Sequence, residues 1–171
     1  MATATLISVE EYLATSYSPD MELIDGQLVE RNLGEYDHAN LQTTLATWIR
    51  NRAREWSVRV VVEQRIRVSV NRYRIPDVCI ILRDQPIEPV FTRPPLVCIE
   101  ILSKDDTLRS IEDKIDDYLA FGVGNIWVLD PVKRRAYVCT KGSFQEPAEG
   151  ILAVPDSPIR ILLKDLFADL D

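Results

Sequence analysis

Two carboxylates in apolar company, Asp77 and Glu100, are the residues of this chain best placed to do chemistry. Glu100 lies inside the run Leu96-Val97-Cys98-Ile99-Glu100-Ile101-Leu102, and Asp77 follows Pro76 at the head of Val78-Cys79-Ile80-Ile81-Leu82. An ionised carboxylate within so apolar a strand costs several kcal/mol unless it is paired, protonated or bound to a cation. The simplest functional reason for both is a shared divalent metal. Hydrolysing a phosphodiester requires an in-line water, neutralisation of the charge growing on phosphorus and help for the leaving oxygen, and one or two hard ions held by carboxylates supply all three. Asp77 and Glu100 would be the anionic ligands, with the backbone carbonyl of Ile101 as a third oxygen. The structural alternative is that Asp77 caps a turn after Pro76 and Glu100 forms a buried ion pair with Lys114 or an arginine, with no catalysis.

A lysine completes such a site by orienting or deprotonating the water and stabilising the phosphorane charge. Lys104 shares the face of Glu100 but lies beyond the expected end of its strand, at Asp105-Asp106. Lys114 belongs to the next helix, whose buried stripe is Ile111, Ile115, Tyr118 and Leu119. At about 100° per residue it falls on the border of that stripe, while Glu112, Asp113, Asp116 and Asp117 point progressively away. Lys114 is therefore favoured over Lys104, against the alternative of a lysine that snorkels to water.

Accessory candidates surround this trio. His38 is the chain's one histidine and opens a long helix, where it is either a ligand or substrate contact or a capping or surface group. Glu22 and Glu63 sit in strand patterns as candidate carboxylates or solvent-facing acids, and Gln64 could bond a phosphate. The chain carries 27 acidic and 20 basic residues, a formal net charge of −7, yet the total hides an asymmetry. Between Arg50 and Arg74 eight arginines face only two acids, Glu55 and Glu63. Arg65, Arg67, Arg72 and Arg74 in this stretch are candidate phosphate contacts, with a solvated charged face as the alternative.

These residues must be positioned by regular elements, and the hydrophobic periods supply them. Ser8-Val9-Glu10-Glu11 resembles a capping box opening a helix through about Tyr17. Met21–Ile24 and Gln27–Glu30 flank Asp25-Gly26, a hairpin signal. The period then predicts a helix from about Tyr36 to Trp56 with Leu41, Leu45, Trp48, Ile49 and Trp56 on one buried face. Strands are expected at about 58–69 and 76–82, joined by a turn near Asn71-Arg72, and at 96–102. A helix from Ser110 to Phe121 ends at Gly122, strands follow at Asn125–Asp130 and Ala136–Thr140, and a short helix spans about Leu163 to Leu170. The strand holding Glu100 is apolar on both faces and belongs at a sheet centre.

The 171 residues, 46% of them hydrophobic, suit one domain over 1–171 and argue against disorder. No run is long enough to span a membrane and the N-terminus lacks a signal-peptide pattern, so a cytoplasmic protein without a membrane partner is expected. Cys79, Cys98 and Cys139 read as buried free thiols. The element order gives an α/β fold of the α+β-like kind, a mixed sheet flanked by helices.

Glu22-Leu23-Ile24-Asp25-Gly26, His38, Val62-Glu63-Gln64, Pro76-Asp77-Val78, Glu100-Ile101-Leu102-Ser103, Lys114 to Tyr118 and Gly122-Val123 before Trp127-Val128-Leu129-Asp130-Pro131 together resemble the PD-(D/E)XK nuclease superfamily, and within it the Uma-two group. The resemblance runs from about residue 8 to 140 in conserved order of segments. It implies a restriction-endonuclease-like core with an N-terminal hairpin extension and a Mg²⁺-dependent endonuclease acting on DNA, with Mn²⁺ as a substitute ion. One departure stands out: the lysine expected two residues after Glu100 is replaced by Leu102, and the family resemblance places a migrated lysine on the helix of Lys114. That vacancy keeps open an inactive nuclease core that binds nucleic acid or protein. Cutting both strands would need two sites, which a homodimer supplies.

Overall fold

The computed structural model describes residues 6–32, 34–168 and 170. Its elements, in chain order, are α1 (Val9–Ala14), β1 (Met21–Ile24), β2 (Gln27–Glu30), α2 (Tyr36–Arg52), β3 (Val58–Val62), β4 (Ile66–Ser69), β5 (Arg72–Arg74), β6 (Val78–Leu82) and β7 (Val97–Ile101). There follow α3 (Leu108–Phe121), β8 (Asn125–Asp130), β9 (Arg135–Thr140), β10 (Ser143–Gln145), β11 (Ile151–Ala153), β12 (Arg160–Leu162) and α4 (Leu163–Leu166).

The central sheet runs β10-β9-β8-β7-β6-β3, and within it β7 and β8 are parallel. That pairing needs a crossover, and α3 provides it. One sheet face meets α2 through Leu41, Leu45 and Ile49, packed on Val58, Val78, Ile80, Val97, Ile99 and Ile101. The opposite face, with Cys79, Cys98, Ile126 and Val128, meets α3 through Ile111, Ile115 and Tyr118. Glu100 is flanked by strands on both sides and covered by α3, so β7 is interior as its apolar pattern requires.

A second sheet, β2-β1-β5-β4, incorporates the N-terminal hairpin: β1 pairs with β2 and also with β5. The expected continuous strand over 58–69 is therefore two strands in two sheets. Glu63 takes a left-handed φ of 51°, which breaks the ladder and sends β4 to the other layer. Arg72–Arg74 is a strand of its own, not part of a turn, and its reversal uses Val70-Asn71.

Element ends also differ from the periods. Helix α1 stops at Ala14, with Ser8 accepting from the Glu11 amide at 3.1 Å. Helix α2 stops at Arg52, and Trp56 is buried from the turn that follows, where its ring lies 5.5 Å from that of Trp48. The C-terminal helix is the single turn Leu163–Leu166. Strands β10, β11 and β12 are short and were not apparent from the hydrophobic pattern. The three cysteines are buried free thiols.

Candidate functional site

Three elements converge on one buried cluster of charge. Asp77 stands just before β6, Glu100 in β7, and Lys114 near the middle of α3, two turns after the Thr107 N-cap. Lys114 Nζ lies 2.9 Å from Glu100 Oε2 and 4.0 Å from Glu22 Oε1. The other Glu100 oxygen, Oε1, accepts a short hydrogen bond from the Tyr118 hydroxyl. Since Tyr118 follows Lys114 by one helical turn, both side chains descend from one helix face onto the same carboxylate.

Asp77 is held differently. Its Oδ1 accepts from Arg31 at 2.9 Å, and its Oδ2 accepts from the Ile101 amide at 2.7 Å and lies 3.4 Å from His38 Nε2. Gln42, one helical turn after His38, donates to the Asp77 carbonyl at 3.0 Å. Ile101 thus meets the site through its amide, which donates to Asp77, whereas the sequence suggests its carbonyl as a ligand. His38 faces inward because it continues the buried stripe of α2, ahead of Leu41 and Leu45.

Glu22, an accessory candidate, is fully buried on β1 and bonded to Arg74 at 2.8 Å and to the Ile75 amide at 2.9 Å. Glu63 is exposed; Arg31 lies 3.8 Å away. Gln64 is structural, donating to the carbonyls of Arg65 and Pro89. Lys104 is exposed and pairs with the exposed Glu35, away from the acid cluster.

The expected phosphate-binding arginines are largely committed elsewhere. Arg74 is buried between Glu22 and Asp117, and Arg72 bridges Asp25 and Asp117 at 2.6 and 3.0 Å. Arg65 reaches Asp20 at 3.2 Å and lies over the Tyr12 ring. Their guanidiniums are paired with acids, Glu22 buried, Asp20 and Asp117 half-buried and Asp25 exposed, which is why the basic stretch is not a free cationic face. Arg67 alone of the four forms no ion pair among the described residues, and it is half-buried on β4. Arg31, which the sequence reading missed, lies after β2 outside any regular element, so no periodic signal could expose it.

Electrostatics follow from this packing. Burial pushes the Glu100 carboxyl up to about 7; Lys114 pulls it down, while Asp77 and Glu22 push with burial. Burial also opposes the charge on Lys114, but the pull of Glu100, Glu22 and Asp77 wins and raises its pKa. Asp77 shows the reverse balance: burial raises it, yet His38, Lys114 and the Ile101 amide together hold it below the usual carboxylate range. His38, disfavoured as a cation by burial, is raised by Asp77.

These donors bear on a metal. All six oxygens of Asp77, Glu100 and Glu22 already accept from a protein donor. Among the described residues no group of three or more His, Cys, Asp or Glu side chains is arranged to hold an ion. As packed, the cluster is a network of three ion pairs, to Arg31, Lys114 and Arg74, and three hydrogen bonds from the Tyr118 hydroxyl and the Ile75 and Ile101 amides, not a preformed set of metal ligands. Beside it opens a cleft of about 330 Å³ lined by Glu22, Arg31, Arg74, Asp106, Thr107 and Lys114, among others.

The sequence model of the Uma2 family, described as "Putative restriction endonuclease", matches residues 9–160. The chain belongs to the Uma2 family. The Uma2 match spans Glu22, Arg31, Asp77, Glu100 and Lys114, and ends before α4. A crystal structure described as a "putative nuclease belonging to DUF820", from Anabaena variabilis, has the same fold, with a TM-score of 0.81 and 22% identity over 96% of this chain and 99% of that one. A DrdV–DNA complex aligns with 78% of this chain and 11% of its own at 20% identity, with a TM-score of 0.41. No curated protein matches. Among the described residues no helix is long and apolar enough to cross a membrane.

Proposed function

We propose that this Uma2 chain is a nuclease-fold module that binds nucleic acid through the cleft beside Lys114, with its acid cluster held by protein cations instead of a resident metal. One observation carries this reading: each of the three carboxylates is paired with a protein cation, Asp77 with Arg31, Glu100 with Lys114 and Glu22 with Arg74. DNA is the nucleic acid that the family description points to. Arg31 and Lys114 on the cleft wall are the cations a phosphate would meet there, each already paired with a buried acid, Asp77 and Glu100. Gel-shift titration tests this. DNA should be retarded without divalent ions, with affinity falling steeply as salt rises, and no cleavage should appear. Absence of any retardation at low salt would overturn the reading.

A second reading, the Mg²⁺- or Mn²⁺-dependent endonuclease, is favoured by the placement of Lys114. Lys114 lies 2.9 Å from Glu100, and in this reading it serves in place of the lysine missing at Leu102. In this reading Asp77 and Glu100 are the ligands and Lys114 the electrostatic group, and a homodimer brings two sites to a duplex. Nicking in Mg²⁺ or Mn²⁺ that is abolished by Asp77→Ala would establish it; cleavage that survives that substitution would point to another site or a contaminant.

A further inference from the structure

A second cleft lies on the other flank of the loop that opens α3. It has a volume of about 400 Å³ and its wall includes Asp130, Tyr137, Phe144, Ile111 and Ser103. That is the lower end of the roughly 300–1,000 Å³ typical of small-molecule sites. Two of its features point to a flat, polar-edged ring. Tyr137 on β9 and Phe144 on β10 meet edge-on, with centroids 6.3 Å apart and planes at 79°, and both line the cleft, so its wall carries an aromatic corner against which a flat ring can pack. Asp130, only 8% exposed, spends Oδ1 on the Lys133 amide at 2.9 Å, and among the described residues no protein donor reaches its Oδ2. Asp130 lines the cleft, and an acceptor left open on its wall can take a hydrogen bond from a ligand that brings a donor.

The position matters as much as the lining. Asp106 and Thr107 border both this cleft and the one beside Lys114. The loop between them is braced, since Asp106 accepts from the Ser103 amide at 2.7 Å and from Asn32 at 2.8 Å. A single strand lying across the first cleft therefore passes within reach of the second. Nucleic-acid proteins commonly hold an unstacked base between aromatic side chains and read its edge by hydrogen bonds.

We propose that this second cleft is a nucleobase pocket, taking one unstacked base that bears an exocyclic amino group, with the ring against Tyr137 and Phe144 and the amine donating to Asp130 Oδ2. The inference rests on the nucleic-acid reading above and deepens it. Cytosine, adenine and guanine qualify; thymine carries a carbonyl oxygen, O4, where cytosine carries its amine, and its one ring donor, N3–H, lies between two carbonyl oxygens that a carboxylate repels.

The test uses the intact chain, short single-stranded oligonucleotides and free nucleosides. A cytidine-containing oligonucleotide should bind about tenfold more tightly than the same strand with thymidine or an abasic site at that position, and Phe144→Ala should erase the difference. Asp130→Asn keeps an oxygen for the Lys133 amide but turns an NH₂ into the cleft, so it should invert the preference towards thymidine while the fold is retained. Deoxycytidine alone should perturb the amide resonances of residues 103, 130, 137 and 144. Oligonucleotides that bind without base preference, with affinity unchanged by Phe144→Ala and Asp130→Asn, would overturn the pocket and leave the binding module standing. Nucleoside shifts at these amides without oligonucleotide binding would support the pocket and overturn the module.

Discussion

Lys114 Nζ lies 2.9 Å from Glu100 Oε2 across the space between a helix and the strand it covers, although fourteen residues separate the two in the chain. The contact turns an isolated buried carboxylate into half of an ion pair. Its electrostatic reach extends to Glu22, 4.0 Å from the same ammonium.

Removing the lysine should therefore be costly. Lys114→Ala leaves Glu100 and Glu22 without their shared cation, and breaking a buried pair from one side costs about 3–5 kcal/mol. Urea denaturation of the wild type and the variant measures it. Lys114→Met with Glu100→Gln should recover a large part of the loss, because no uncompensated charge then remains on that pair.

Acidity supplies the next expectation. The Glu100 pKa rises from an ordinary carboxylate value in the unfolded chain to about 7 when folded, because burial outweighs Lys114. The folded state then holds more protons than the unfolded state between those values, so stability falls as pH rises through that window. His38 acts in the same direction: its folded pKa is raised by Asp77, and its contribution is lost as pH climbs through that value. Asp77 is lowered and acts oppositely, losing its contribution only in strong acid. Denaturant midpoints at pH 5 and pH 7.5 should therefore fall with pH, and Glu100→Gln should flatten the fall; an unchanged slope in that variant would exclude Glu100 as its source.

Chelation separates the two functional readings. A cluster whose acids are paired with Arg31, Arg74, Lys114 and His38 should have the same Tm in EDTA as in Mg²⁺ or Mn²⁺. A clear rise in Tm with the ion would favour the endonuclease.

Arg31 gives a sharper form of the same question. Arg31→Gln removes a charged hydrogen bond from Asp77 Oδ1 and should destabilise the fold by roughly 1.5–3 kcal/mol. It should also raise the Asp77 pKa, since a cation beside the carboxylate is lost. Calorimetric unfolding and carboxyl titration by NMR read the two effects separately.

The helix that delivers Lys114 depends on its end. Gly122 caps α3 with φ 103°, and a Cβ there would meet only Pro94 at an ordinary 3.6 Å. Gly122→Ala should therefore lose about 1–2 kcal/mol through the backbone, without a steric clash. Thermal unfolding checks it, and a loss far above that range would mean that the cap also positions neighbours.

Some of this architecture was readable from local pattern. The alternation around Glu100 put Cys98 and Glu100 on the face opposite Val97, Ile99 and Ile101; Cys98 does belong to one core and the other three to the second, and Glu100 meets Tyr118 and Lys114 of α3 on the Cys98 side. The α3 stripe put Lys114 near the buried side, and it reaches the strand below. Patterns failed where backbone conformation or long-range charge decided the outcome. The run 58–69 is uniformly strand-like, yet the left-handed turn at Glu63 divides it between sheets. Arg72 and Arg74 looked like free cations because their partner Asp117 lies more than forty residues along the chain.

The sequence by itself determined the interior strand, the two acids, one at the head of an apolar run and one inside another, and the helix bearing a lysine, because period and burial cost act on neighbouring residues. Only the tertiary structure decided what those acids touch. Arg31 joins Asp77 from a loop, Arg74 joins Glu22 across the second sheet, and Tyr118 and Lys114 share Glu100. Ion pairing depends on distance in space and on the removal of water, neither of which is written in local spacing.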